Sequence, residues 1–146
     1  MNVRDNILII DDEHDIRVAL RDWLEVEGYR VYSAANGRAG LEVLNIIEKP
    51  ALILLDLMMP ILTGEDFLKA IKSSDTFASI PVVVISANPG GADTRGAEVC
   101  LTKPLDLDLL LRVIEKYCQP SQPRVQFASQ VRENIAPTES LKLAIS

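Results

Sequence analysis

Cysteine, histidine and tryptophan are scarce in this chain of 146 residues: two, one and one. Cys100 and Cys118 form neither a metal-ligand spacing nor a disulfide framework. A reduced, cytoplasmic protein is therefore expected. The single His14 reads as a solvent-facing residue on a first helix rather than as a ligand or phosphodonor. Basic charge is in deficit, with 15 Lys and Arg against 21 Asp and Glu and a formal net charge of −6. That balance argues against a nucleic-acid partner, which needs a basic face. No apolar stretch is long enough to span a bilayer and no signal peptide is evident, so no membrane insertion is expected. No internal repeat or low-complexity segment occurs. What is present is 48% hydrophobic residues, enough for a core, and 25% charged ones.

The apolar pattern alternates between two periods. Asn6 to Ile10 reads as a strand closed by Asp11-Asp12-Glu13. Ile16, Ala19, Leu20, Trp23 and Leu24 then share one helical face, and Gly28 stands in the stop position. Trp23 reads as core. Arg30 to Ala34 is a second strand. Leu41, Leu44 and Ile47 mark a second helix, ended by Pro50. Thr63-Gly64 opens a third, carried inward by Phe67, Leu68 and Ile71. Val82-Val83-Val84-Ile85 is a fourth buried strand ending in Ser86. A short fifth strand is expected at Glu98 to Leu101, and a last helix from about Leu105 to Tyr117. Strands alternating with helices, five and about five, imply parallel βαβ units. The expected fold is α/β: a flavodoxin-like, doubly wound, five-stranded parallel sheet in the order 2-1-3-4-5, whose switch point is a ligand site.

The third strand is the stretch that organises the rest. Ala51 to Leu55 is a short apolar run bounded by turn signals, as in a strand buried on both faces. It delivers Asp56 and breaks at Pro60 and Gly64. Asp56 either caps the next turn or sits in a site at the carboxyl edge of the sheet. Right-handed crossovers put all strand ends on that edge. Asp11 and Asp12 follow the first strand, Ser86 the fourth and Lys103 the fifth. Three acids together repel one another and call for a cation; oxygen ligands favour a hard one, Mg²⁺. A hydroxyl and an ammonium supply what a phosphoryl group requires. A carboxylate nucleophile can accept such a group, and Asp56 is the candidate.

At these residues the chain resembles a response-regulator receiver domain of two-component signalling. The resemblance runs from Asn6 to Tyr117. It rests on Ile9-Ile10-Asp11-Asp12-Glu13, on Asp56-Leu57-Met58-Met59-Pro60 with Gly64, on Ser86-Ala87, and on Gly96-Ala97 before Leu101-Thr102-Lys103-Pro104. It implies that Asp56 takes a phosphoryl group from a phosphohistidine on a sensor histidine kinase or histidine phosphotransfer protein. It implies that Asp12, Asp56 and the Met58 backbone carbonyl hold Mg²⁺ directly, with Asp11 acting mainly through water. It gives Lys103 the phosphoryl oxygens and Ser86 the reporting hydrogen bond. It implies self-catalysed phosphorylation and dephosphorylation rather than enzyme turnover, and output through a downstream protein target.

The chain departs from the family pattern in one region. Between Ser86-Ala87 and Gly96-Ala97 it is shorter than usual by about a helical turn or more and contains Pro89-Gly90-Gly91. The fourth helix, between the fourth and fifth strands, is therefore expected to be short or absent. Cys100 replaces the usual aromatic three residues before the lysine and is expected as a small buried apolar residue. Met58-Met59 is expected to serve packing and the turn.

The receiver domain is expected over 1–118 as a stand-alone unit, monomer or weak dimer. Residues 119–146 read as a linker and a tail, mobile or docked, with one short helix suggested by Val125, Ala128, Val131 and Ile135. A degenerate receiver that binds partners without phosphate is the rival reading. Two enzyme readings are weaker. A phosphatase with an aspartyl intermediate commonly has a second Asp where Met58 stands. A nucleotide enzyme needs a glycine-rich loop where Asp11-Asp12-Glu13 stands.

Overall fold

The computed structural model describes residues 5–59, 61–88, 90 and 93–120. Five parallel strands, β1 (Asn6–Ile10), β2 (Arg30–Ala34), β3 (Leu52–Asp56), β4 (Val82–Ser86) and β5 (Val99–Thr102), form one sheet in the order β2-β1-β3-β4-β5. The helices are α1 (His14–Val26), α2 (Gly37–Leu44), α3 (Gly64–Lys72) and α4 (Leu107–Tyr117). This is the flavodoxin-like doubly wound order expected from the alternation of patterns. Every residue of β1, β3 and β4 is buried, whereas β2 and β5, at the edges, carry exposed positions. That split explains why the central strands are continuous apolar runs and the outer ones mixed.

Successive side chains of a strand point to opposite faces, and two cores result. On one face Ile7, Ile9, Leu52, Leu54, Val83, Ile85 and Leu101 pack against Ile16, Leu20 and Leu24 of α1 and Leu110, Leu111 and Ile114 of α4. On the other, Leu8, Ile10, Ile53, Leu55, Val82 and Val84 pack with Leu44 of α2 and Phe67, Leu68 and Ile71 of α3. Trp23 is partly buried against the first core, as expected.

Helix ends follow their caps. α1 stops at Val26, and Gly28 takes φ 97° just beyond, where a residue without Cβ is least strained. Asn36 and Thr63 accept hydrogen bonds from the backbone N–H of Ala39 and Asp66 and so fix the starts of α2 and α3. Three expected boundaries are corrected. α2 ends at Leu44, before Ile47: Asn45 caps it, its Nδ2 donating to the Leu41 carbonyl at 2.9 Å. α4 begins at Leu107 because the Asp106 carboxylate accepts from Leu109 N at 3.1 Å. β5 begins at Val99, since Glu98 turns its carboxylate to the backbone N–H of Val82 at 2.6 Å.

Among the described residues no α-helix lies between β4 and β5, so four helices stand where about five were expected. A polar clamp anchors this connection instead. Lys72 Nζ donates to the carbonyls of Ala78 (3.1 Å) and Ile80 (2.9 Å) and reaches Glu98 Oε1 at 3.4 Å. The end of α3, the entry to β4 and the approach to β5 are thus tied at one point. Cys100 is exposed, not buried as expected. It lies on an edge strand, on the face opposite Leu101, and no α-helix among the described residues joins β4 to β5 to cover it there. Met59 packs as expected, whereas Met58 is exposed. No helix among the described residues is long and apolar enough to cross a membrane. The tail expected over 119–146 lies, from residue 121 on, outside the described residues.

Candidate functional site

The carboxyl ends of β1, β3, β4 and β5 carry the polar groups singled out in the sequence. Asp11, Asp12 and Asp56 each offer a carboxylate oxygen, and these oxygens lie within 4.8 Å of one another. Asp11 and Asp56 are buried and Asp12 is exposed at the mouth. The backbone holds the two buried carboxylates. Asp11 Oδ1 accepts from Glu13 N at 2.8 Å, and Asp56 Oδ1 accepts from Met58 N at 3.0 Å. Both bonds span two residues, so each acid organises the turn that follows its own strand.

The electrostatics are those of crowded anions. Burial, reinforced by the charges of Asp56 and Asp12, pushes Asp11 up to about 6, against the Glu13 hydrogen bond and Lys103, which pull down. Burial also raises Asp56, with Asp12 and Glu13 adding to the rise; Met58 N–H and Lys103 oppose it. Lys103 is therefore near enough to act on both acids. Its backbone N–H donates to the Ser86 carbonyl at 3.0 Å, which brings the end of β5 beside the end of β4. Ser86 is buried, and its Oγ accepts from Asn88 N at 3.1 Å. That bond leaves the hydroxyl hydrogen available for another acceptor. The three carboxylates suit a hard cation, which would offset the mutual repulsion that burial magnifies.

Gly64 sets how closely α3 approaches the end of β3. A Cβ there would meet Leu57 Cα at 2.5 Å and the Asp56 carbonyl at 2.6 Å, while Gly64 N donates to the Leu57 carbonyl at 3.3 Å. Arg17 was not anticipated. Its Nη1 donates to the Asp11 carbonyl at 2.7 Å, tying α1 to the loop that bears the acidic pair. A basic residue one turn into the helix after an acidic pair was the available signal.

A doubly wound parallel sheet with clustered acids, a hydroxyl and an ammonium at its carboxyl edge defines the receiver class of signalling module. Residues 7–115 match the family model of the response regulator receiver domain, and the chain belongs to that family. Receiver domains are signalling modules of two-component systems rather than enzymes in the usual sense. The chain is 34% identical to sporulation initiation phosphotransferase F of Bacillus subtilis, over 79% of this chain and 94% of that one. It is 33% identical to protein PilH of Pseudomonas aeruginosa, over 74% and 93%. It spans only about half of a matching transcriptional regulator, the CpxR homolog of Haemophilus influenzae (36% identical, 48% of its length). Among solved structures, the response regulator TrrA of Thermotoga maritima, in complex with Mg²⁺–BeF, is 25% identical. It aligns with a TM-score of 0.69, over 77% of this chain and 98% of that one. Chemotaxis protein CheY4 of Vibrio cholerae gives a TM-score of 0.71 at 25% identity, over 79% and 99%.

Proposed function

We propose that Asp56 accepts a phosphoryl group from a phosphohistidine on a sensor histidine kinase or histidine phosphotransfer protein. The observation that carries this reading is the gathering of the Asp11, Asp12 and Asp56 carboxylates at the carboxyl edge. Asp12, Asp56 and the Met58 carbonyl would hold Mg²⁺, with Asp11 acting mainly through water. Such an ion supplies charge neutralisation for phosphoryl oxygens beside the acids. An Asp56 carboxylate oxygen attacks phosphorus, the P–N bond to the donor histidine breaks, and the electron pair leaves with the imidazole, which takes a proton. Lys103 pairs with the transferred oxygens, and the Ser86 hydroxyl hydrogen turns to one of them. That movement pulls on the loop after β4 and reports the modification. The chain catalyses both its own phosphorylation and its own dephosphorylation, in which water releases phosphate from the Asp56 acyl phosphate.

The module spans 1–118 and works in the cytoplasm as a monomer or weak dimer. Its output is contact with a downstream protein, and 119–146 is a linker and tail. A second reading, a receiver that binds partners without phosphate, draws support from the β4–β5 connection, where no described α-helix intervenes. Incubation with Mg²⁺ and acetyl phosphate tests the first reading. A gain of one phosphoryl mass, lost in Asp56→Asn, is expected. No gain under conditions that label an active receiver favours the second reading.

A further inference from the structure

Ile61 is the single non-glycine residue at positive φ among the described residues, at 72°. The left-handed region crowds Cβ against the backbone, and a β-branched residue there is an outlier. Glycine or asparagine would take the same turn with less strain. Core packing does not compensate, because Ile61 is 77% exposed. A strained backbone carrying an exposed apolar side chain serves neither the turn nor the core, and residues of this kind gather at functional sites.

Position says what Ile61 serves. Four large apolar side chains are exposed among the described residues: Ile46, Met58, Ile61 and Leu109. Met58 and Ile61 follow Asp56 by two and five residues, and Leu109 lies in the first turn of α4, so these three rim the carboxyl edge of the sheet. Ile46 follows α2 at the opposite edge. Asp56 itself is only 4% exposed. A donor group must be carried down past the β3–α3 loop, and the surface around it then meets the rim that this loop forms.

We propose that Ile61, beside Met58, is a recognition contact for the apolar surface around the phosphohistidine of the donor protein. This rests on the acceptor reading of Asp56. A small donor such as acetyl phosphate brings no such surface and gains nothing from the contact. Ile61 thus sets the preference for a protein donor over a small one, while the acids and Lys103 do the chemistry.

The test compares two donors on Ile61→Asn, Ile61→Gly and Ile61→Val. The protein donors are the histidine-phosphorylated transmitter domains of the source organism, profiled first on the unmodified chain to find the fastest. Ile61→Asn and Ile61→Gly should raise the melting temperature, since strain is relieved. They should lower the ratio of protein-donor rate to acetyl-phosphate rate by about tenfold, the loss of one good apolar contact. Ile61→Val, still apolar, should keep most of that ratio. An unchanged ratio in Ile61→Asn and Ile61→Gly overturns the inference. So does an unmodified chain labelled by acetyl phosphate but by none of the phosphorylated proteins, which leaves the acceptor reading standing. If acetyl phosphate does not label Asp56 at all, the acceptor reading falls and this inference with it.

Discussion

Gly64 and Leu57 pack backbone against backbone: a methyl group on Gly64 would stand 2.5 Å from Leu57 Cα, well inside contact distance. The obstacle is main chain at the end of the Asp56 strand, which cannot swing aside as a flexible side chain would. Gly64→Ala should therefore destabilise the protein by about 1–3 kcal/mol, the usual range for overpacking. It should also displace the Asp56 loop and slow labelling by acetyl phosphate. Denaturant melts and labelling rates on one preparation check both. A variant as stable and as fast as the parent would show that the loop yields freely.

Asp11 gives the pH dependence. Its ordinary value of 3.8 rises to about 6 in the fold, chiefly through burial. Between those values the folded protein keeps a proton that the unfolded chain has released. Without metal, this group costs stability as pH rises through that window, and the cost is complete above it. Asp11→Asn should therefore raise the metal-free melting temperature near neutral pH and leave it nearly unchanged near pH 4. Mg²⁺ should stabilise the parent near neutral pH and progressively less as protons compete below about pH 6. Thermal melts across pH, with Mg²⁺ and with chelator, read out each point.

Lys103 lowers both Asp11 and Asp56. Lys103→Ala removes that pull, so both acids should titrate higher than in the parent. Phosphoryl oxygens would also lose their nearest counter-charge. Labelling should fall by about tenfold or more, within the range for loss of one positioned charge, and its pH profile should move upward. A profile that stays in place would mean that Lys103 acts on neither carboxylate.

The clamp built by Lys72 makes a structural prediction remote from the chemistry. Lys72→Met keeps much of the stem but abandons two carbonyls and Glu98. A loss of about 1–3 kcal/mol is expected from such unmet hydrogen bonds. Hydrogen exchange should quicken first at Val82 N–H and through the β4–β5 connection, where Glu98 is anchored. Uniform loosening over the whole sheet would count against a local clamp.

The sheet order and both cores were legible because the central strands are unbroken apolar runs and the helices keep a clean apolar face. The gathering of Asp11, Asp12 and Asp56 at one edge was legible because each acid ends a strand or closely follows one, as do Ser86 and Lys103, and parallel topology brings all strand ends to that edge. Helix ends were less so. Asn45 and Asp106 each redirect a side chain to the backbone and shift the boundary by a few residues, which apolar spacing does not register. The exposure of Cys100 was misjudged for a different reason. Burial on an edge strand depends on what lies across its face, and no α-helix among the described residues of the β4–β5 connection covers Cys100. Ile61 left no trace in the pattern, since a left-handed backbone at isoleucine runs against its local preference.

Cys100 is exposed while Cys118, the other cysteine, is buried. A thiol-directed dye added to the native chain would thus attach at one place, with the second thiol reacting only on unfolding. Cys100 pairs with Val84, and the next outward pair but one is Thr102 with Ser86. The unaltered protein therefore carries its own attachment point for an optical probe on the strand beside the Ser86 hydroxyl.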